Sequence, residues 1–268
     1  MVWGRKIAVK PYGAILVTGA SSGLGAALAM HYARQDHLLL LWARNGERLA
    51  AVAAQCQACS RRDVLTRVID LTDSVAVLAA LRDDDSRTPI ATAILAAGLG
   101  DMRKPDEVTE RPEQAMALGL VNFVAATVMA TVLAERMSAR KGGQVVLIGS
   151  VAAFHALPFA PAYCGSKAGL LRFAQALRHG MQPFNVGVTL VSPGFIDTPM
   201  SRRLVSKKPW ILSPEAAAER ISLAASQNQG HLVLPWVFTL LRIADRLLPL
   251  PVRRFVLGRL RVQQHDLP

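Results

Sequence analysis

The sequence predicts an α/β fold, a doubly wound parallel sheet of about seven strands with helices on both faces. Three observations carry this expectation. Short β-branched or leucine-rich runs alternate with helical stretches along the 268 residues, the rhythm of βαβ units. Most of those runs are continuously apolar, as strands buried on both faces are. The first run passes straight into a glycine-rich turn that opens a helix, Thr18-Gly19-Ala20-Ser21-Ser22-Gly23-Leu24-Gly25, an arrangement in which such sheets hold ligands.

Taken in order, Ala14 to Val17 is the first expected strand, and Gly23 to Gln35 the helix after the turn. Leu38 to Trp42 is a leucine strand, followed by the alanine-rich helix Glu47 to Ala58. Leu65 to Asp70 reads as a strand, Ser74 to Arg82 as a helix and Ile90 to Ala96 as a buried strand. Helices Pro112 to Met137, Pro161 to Met181 and Pro214 to Ser226 each open on a proline, whose missing N–H costs nothing in a first turn. The remaining strands are Gln144 to Ile148, Gly187 to Val191 and His231 to Leu234. Between Gly194 and Ser213, Pro199 and Pro209 interrupt any periodicity, so a lid or binding loop is expected there.

A length of 268 residues suits one large domain, here 1–235, followed by a basic amphipathic helical extension at 236–268. With 51% apolar and 19% charged residues, disorder is excluded. Three cysteines exclude a disulfide framework and fit a reducing compartment, which points to the cytoplasm. Cys56 and Cys59 form a lone C-x-x-C without a second pair or a nearby histidine, a structural pair rather than a metal site. The amino end carries Arg5, Lys6 and Lys10 before an apolar segment, but no cleavage site of the A-x-A kind precedes the glycine turn, which argues against a secretory signal. The best candidate for a membrane span, Leu232 to Leu250, is broken by Arg242, Asp245 and Arg246.

The net charge of +12 is unevenly placed: +5 over residues 1–200 and +7 over residues 201–268. Aromatics at 6% are too sparse for the interleaved basic stripe of a nucleic-acid binder, so no nucleic-acid partner is expected. An anionic cofactor or an anionic membrane surface accounts for the charge instead.

Tyr163, Lys167 and Ser150 are placed to do chemistry. Tyr163 and Lys167, four apart on a helix, share one face, and an ammonium beside a phenol is expected to lower the phenol's pKa toward neutrality. Ser150 follows the apolar run Val145 to Ile148 at the end of the sheet where ligands bind, and its hydroxyl could steady a developing alkoxide; a turn or cap serine would look the same. Asn122 lies within the long middle helix, where an asparagine otherwise bonds only a local carbonyl. At the end of the second strand stand Ala43-Arg44-Asn45, with no carboxylate before Glu47. Arg44 therefore favours a 2′-phosphate, hence NADP(H), over the ribose hydroxyls of NAD, unless it is only a solvated arginine.

Thr18, Gly19, Gly23 and Gly25 in the pattern T-G-x-x-x-G-x-G, then Tyr163-Cys164-Gly165-Ser166-Lys167 as Y-x-x-x-K, resemble the short-chain dehydrogenase/reductase family over nearly the whole chain. The resemblance implies a Rossmann-like sheet and an NADP-dependent enzyme acting on CH–OH or C=O groups. It assigns Ser150, Tyr163, Lys167 and Asn122 as catalytic, Asn122 holding a water in a proton relay with Lys167. It places the cofactor on Thr18, Gly19, Ser21, Ser22, Gly23, Leu24, Gly25, Arg44, Asp70, Leu71, Ala97, Gly98, Tyr163, Lys167, Pro193, Gly194, Ile196 and Thr198. Homodimers or homotetramers through the helices after Pro112 and Pro161 are implied too. One departure is that Ala96-Ala97-Gly98 replaces the family's Asn-Ala-Gly, losing the asparagine's hydrogen bonds. The alternative function is a dinucleotide-sensing or regulatory protein without turnover.

Leu157, Phe159, Phe195, Met200, Leu204 and Trp210 are expected to wall the pocket and to select a hydrophobic carbonyl or alcohol. From Trp236 to Arg261, leucines mix with Arg242, Arg246, Arg253, Arg254, Arg259 and Arg261, a pattern similar to bacterial family members with an extended tail. Two roles stand open for it. Either it lies peripherally on an anionic membrane, with Trp236, Phe238 and the leucines toward lipid, or it covers the pocket or a subunit partner.

Overall fold

A computed structural model describes residues 13–100, 102–103, 107–204 and 208–247. Arg5, Lys6, Lys10 and the tail arginines from Arg253 onward lie outside the described residues. The expected architecture is present. Seven strands, β1 (Ala14–Thr18), β2 (Leu39–Ala43), β3 (Val64–Val68), β4 (Ile90–Leu95), β5 (Gly143–Ile148), β6 (Val186–Pro193) and β7 (His231–Leu234), form one sheet in the order β3-β2-β1-β4-β5-β6-β7. Every pairing is parallel. The order reverses between β1 and β4, and there the carboxyl ends of neighbouring strands diverge into a crevice.

The helices are α1 (Gly23–Ala33), α2 (Gly46–Ala58), α3 (Ser74–Arg87), α4 (Pro112–Gly119), α5 (Ala126–Ala139), α6 (Pro161–Met181), α7 (Pro199–Arg202), α8 (Pro214–Ser226) and α9 (Val237–Leu247). The period of two along each strand divides the core between the two faces of the sheet. Leu16, Leu40 and Leu147 pack with Val77 and Leu81 of α3, Met129 and Leu133 of α5 and Leu170 of α6. Ile15, Val17, Leu41 and Val146 pack with Leu28 of α1, Leu49 of α2 and Ile221 of α8. Only the edges depart from burial on both faces: β3 leaves Leu65 and Val68 exposed.

Three differences from the sequence expectation have physical causes. Helix α3 runs on to Arg87 because its three consecutive acids are partnered rather than helix-breaking. Asp84 accepts from Trp42 Nε1 at 2.8 Å and from Arg67, while Asp83 pairs with Arg67 and Arg87. The Gly194–Ser213 segment contains the short helix α7, fixed by a capping box between Thr198 and Ser201 with Pro199 in the first turn. The third concerns membrane-spanning character. Among the described residues, the helix long and apolar enough to cross a membrane is Pro112–Ala139, not the Leu232 to Leu250 stretch. Its Met129, Leu133 and Met137 are buried in the core.

Asp85 ties the far end of the domain together. Its fully buried carboxylate accepts two hydrogen bonds from Arg140, at 2.7 and 2.9 Å, another from Arg136, and the Ile90 amide at 2.9 Å. Burial pushes this carboxyl up, but the arginine and amide hydrogen bonds outweigh it and hold it below the usual carboxylate range. The stabilisation is therefore present above the unfolded carboxyl pKa near ~3.9 and is lost as pH falls through the depressed folded value. Asp85→Asn should lower stability by about 1.5–3 kcal/mol at neutral pH, with the deficit shrinking in acid, as read by urea unfolding at several pH values. An unchanged midpoint at pH 7 would contradict the assignment.

Candidate active site

The carboxyl ends of β1, β4, β5 and β6 carry the expected residues to one crevice. After β1 the chain turns through Gly19 (φ +70°) and Gly23 (φ +54°), a backbone that side chains other than glycine rarely adopt. A Cβ on Gly25 would lie 2.2 Å from the Gly19 carbonyl oxygen, and one on Gly19 would lie 2.8 Å from Ala97 Cα. The turn is therefore packed tightly onto the β4 end. Ser22 precedes α1 without making a side-chain cap, and the first turn of α1 holds no acid, leaving its backbone N–H groups for an anion. Leu24 is packed against the core beneath.

Ala97 donates its N–H to Thr18 Oγ1 at 3.1 Å. Two residues on, Leu99 donates to Asn122 Oδ1 at 2.7 Å, and its carbonyl accepts from Asn122 Nδ2 at 2.9 Å. These bonds brace the Ala96-Ala97-Gly98 segment on both sides, where the family's asparagine side chain is missing. Asn122 is buried on a π-helical turn, Leu120–Ala125, which no local sequence signal marks. The wider turn breaks the i→i+4 ladder between α4 and α5, as such turns do at functional sites. Gly98 lies between Asn122 and Lys167: a Cβ there would be 3.2 Å from Asn122 Oδ1 and 3.5 Å from Lys167 Nζ.

Ser150 starts the 3-10 turn Val151–Phe154, where its Oγ accepts from Ala152 N at 3.1 Å. The cap role does not exclude a site role, because the same side chain acts on the Tyr163 phenol and lowers its pKa against the effect of burial. Tyr163 is half-buried in the first turn of α6, whose Ala162 amide is held by the buried carboxylate of Glu110 at 2.8 Å. One helical turn on, buried Lys167 donates to the Ile148 carbonyl at 2.9 Å, with its Nζ 5.9 Å from the Tyr163 ring centre. Burial brings the Lys167 ammonium down to about 8.

The expected lowering of the Tyr163 pKa is not what the structure gives. Burial pushes the phenol up, and the Ser150 hydrogen bond only partly offsets this. The ammonium is directed at Ile148 rather than at the phenol oxygen, so desolvation decides the direction. Tyr163 is thus held as a protonated donor at neutral pH. Ser166, an unassigned position inside Y-x-x-x-K, connects the parts. Its hydroxyl donates to the Tyr163 carbonyl at 2.8 Å and lies 3.3 Å from Asn122 Nδ2. Neither Ser166 nor Glu110 stood out in the sequence, since each acts through a contact distant along the chain.

The remaining predicted residues fall around the same crevice. Arg44 follows β2, exposed, and its charge reaches Asp70. Hydrogen bonds from Thr72 to the Asp70 carboxylate, helped by Arg44, hold that carboxyl below its usual range, while Leu71 packs on the core. Pro193 ends β6, Gly194 donates its N–H to Leu234 O at 2.6 Å, Ile196 bridges to Leu212, and the Thr198 methyl abuts Gly23.

The first part of the tail includes helix α9. Phe238 is buried, not turned toward lipid as expected: a Cβ on Gly194 would come within 2.4 Å of its ring, and its ring meets Trp210 edge-on at 5.8 Å. The Arg242 guanidinium lies 4.5 Å over the Phe154 ring, in the turn that begins at Ser150. This side of the helix packs on Gly194 and on the turn that begins at Ser150.

The profile of the short chain dehydrogenase family matches residues 13–209. Epidermal retinol dehydrogenase 2 of Mus musculus is 31% identical over 254 residues, covering 88% of this chain and 78% of that protein. A solved short-chain dehydrogenase from Sphingobium yanoikuyae in complex with NADPH superposes with a TM-score of 0.78 at 28% identity, over 93% of this chain and 96% of that one. A bulky-bulky ketone specific alcohol dehydrogenase from Comamonas testosteroni shares the fold, with a TM-score of 0.78 at 24% identity over 96% and 98% of the two chains. With the glycine turn, Ser150, Tyr163 and Lys167 gathered at one end of a seven-stranded parallel sheet, the chain belongs to the short-chain dehydrogenase family of oxidoreductases.

Proposed function

We propose that the protein uses NADP(H) to reduce a hydrophobic carbonyl to its alcohol, or to run the reverse. The observation that carries this reading is the placing of Ser150, after β5, beside Tyr163 and Lys167 of α6, with the Lys167 ammonium 5.9 Å from the Tyr163 ring centre. The residues fit a dinucleotide, because Gly19 and Gly25 let the turn close backbone against backbone, and α1 opens with no side-chain cap and no acid in its first turn, which suits a pyrophosphate. The backbone of Gly19 to Gly25 would take the pyrophosphate, with Ser21 and Ser22 beside it. Arg44, Asp70 and Leu71 would flank the adenosine end, and Gly98, Pro193, Gly194, Ile196 and Thr198 the nicotinamide end. When bound, the cofactor supplies the hydride.

The chain's own residues handle the proton. Tyr163 gives its hydroxyl proton to the substrate oxygen, and Ser150 donates a hydrogen bond to the same oxygen as charge develops there. The positive charge of Lys167 favours the phenolate left behind, and Asn122, braced by Leu99, holds the relay that restores the proton. The apolar side chain of Met200 beside Gly100 supports an apolar substrate, as does the likeness to a relative named for retinol. An apolar groove of Phe123, Thr127, Val128, Thr131, Val132 and Phe173 on α5, α6 and the π turn supports assembly into dimers or tetramers.

The reading is tested by NADPH consumption across ketones and aldehydes graded from small to bulky and apolar, with rates expected to rise with apolar bulk. Rates confined to small polar carbonyls would overturn the substrate class. Cofactor choice is tested separately by fluorescence titration. NADPH should bind more tightly than NADH, and Arg44→Ala should weaken NADPH about ten- to a hundredfold, the worth of a charge-assisted contact, while leaving NADH nearly unchanged. Equal affinities in the unmodified protein would contradict the assignment of Arg44.

A further inference from the structure

Helix α9 presents opposite characters on its two sides. Phe238 and Arg242 turn inward onto Gly194 and Phe154. Trp236, Leu240 and Ile243, spaced four and three apart so as to share one face, are 69%, 52% and 51% exposed. Trp236, in the turn before α9, and Leu240 and Ile243 within it are turned to solvent, where apolar side chains of this size are normally buried. Beside it, joined through the ring contact with Phe238, stands Trp210, with Trp210 and Ile211 exposed as well. Large apolar side chains gathered this way mark a surface that meets something else.

Charge identifies the partner. Residues 201–268, which contain this face, carry 11 basic and 4 acidic groups. A second copy meeting the first through the same face would set one strongly basic segment against another, which disfavours a symmetric dimer here. An anionic bilayer satisfies both requirements: its interface accepts tryptophans and aliphatic side chains, and its headgroups attract the arginines. We propose that Trp210, Ile211, Trp236, Leu240 and Ile243 form a docking surface for an anionic phospholipid bilayer. Because the inner side of the same helix covers Gly194 and the Ser150 turn, docking sets the crevice beside the membrane.

The test is flotation of the full-length protein with vesicles of phosphatidylcholine alone or mixed with phosphatidylglycerol, at low and high salt. Binding is expected to the mixed vesicles at low salt, with loss in high salt and a blue shift in tryptophan emission on binding. The triple variant Trp236→Asp, Leu240→Asp, Ile243→Asp, whose side chains are exposed, should lower vesicle binding about tenfold or more. Unchanged circular dichroism and NADPH affinity in that variant would show that it is folded. If it is not, Ile243→Asp alone serves, with a smaller loss expected. No flotation with mixed vesicles at low salt would overturn the proposal, as would equal flotation of the variant, or a variant that converts a dimer to a monomer. None of these readouts depends on turnover, so the docking surface stands or falls separately from the proposed reaction.

Discussion

Tyr163→Phe is expected to lower turnover by about 10²–10⁴-fold while leaving NADPH affinity nearly unchanged. The substitution removes one hydroxyl and keeps the ring that fills the first turn of α6. Its neighbours remain in place: Glu110 still holds the Ala162 amide, and Lys167 still bonds the Ile148 carbonyl. What is lost is the proton that burial keeps on the phenol and the hydrogen bond to Ser150. Steady-state rates and a cofactor titration on the same preparation separate the two effects. Near-normal turnover would remove Tyr163 as the acid, and a parallel loss of affinity would make its role one of binding.

Gly25→Ala is expected to act by a different route, on cofactor affinity rather than on turnover. The added methyl would sit 2.2 Å from the Gly19 carbonyl oxygen and 2.7 Å from its carbon. Both are backbone atoms, so no side chain can move aside. Either α1 shifts away from the turn or the turn opens, and both spoil the approach of backbone N–H groups to a pyrophosphate. Overpacking of this kind costs about 1–3 kcal/mol, and each ~1.4 kcal/mol passed on to the cofactor complex is about tenfold in affinity. Titration should show NADPH binding weakened by about tenfold or more, with thermal unfolding at lower temperature. Full affinity in the variant would mean that this turn does not hold the cofactor.

The parts of the fold visible in the sequence are those written in local pattern. Each buried strand was marked by its apolar run and each long helix by an opening proline or cap residue, and all seven strands are where those signals stand. Edge strands and helix ends were less well defined, because partners distant in sequence decide them. The acids of α3 stay helical through Arg67, Arg136 and Arg140, which no local rule connects to them. At the site, glycine spacing and Y-x-x-x-K mark residues that the fold brings to one end of the sheet. The π turn under Asn122 was hidden because an unbroken apolar helix reads the same with or without one extra residue in a turn. The Tyr163 pKa was misjudged for a related reason: spacing shows that a cation is near, whereas its aim and the loss of water around the phenol are tertiary facts. In α9, Phe238 is buried whereas Leu240 and Ile243 are exposed, a division that composition alone does not express.

The most direct test of the central claim, that Ser150, Tyr163 and Lys167 form a working carbonyl-reducing centre, is a product assay. The unmodified protein is incubated with NADPH and the most rapidly consumed apolar ketone, and alcohol formed is compared with NADPH lost. The account predicts one alcohol per NADPH, with almost none from Tyr163→Phe at the same cofactor occupancy. Tight NADPH binding without alcohol from any carbonyl offered would contradict it, leaving a dinucleotide-binding protein that does not turn over.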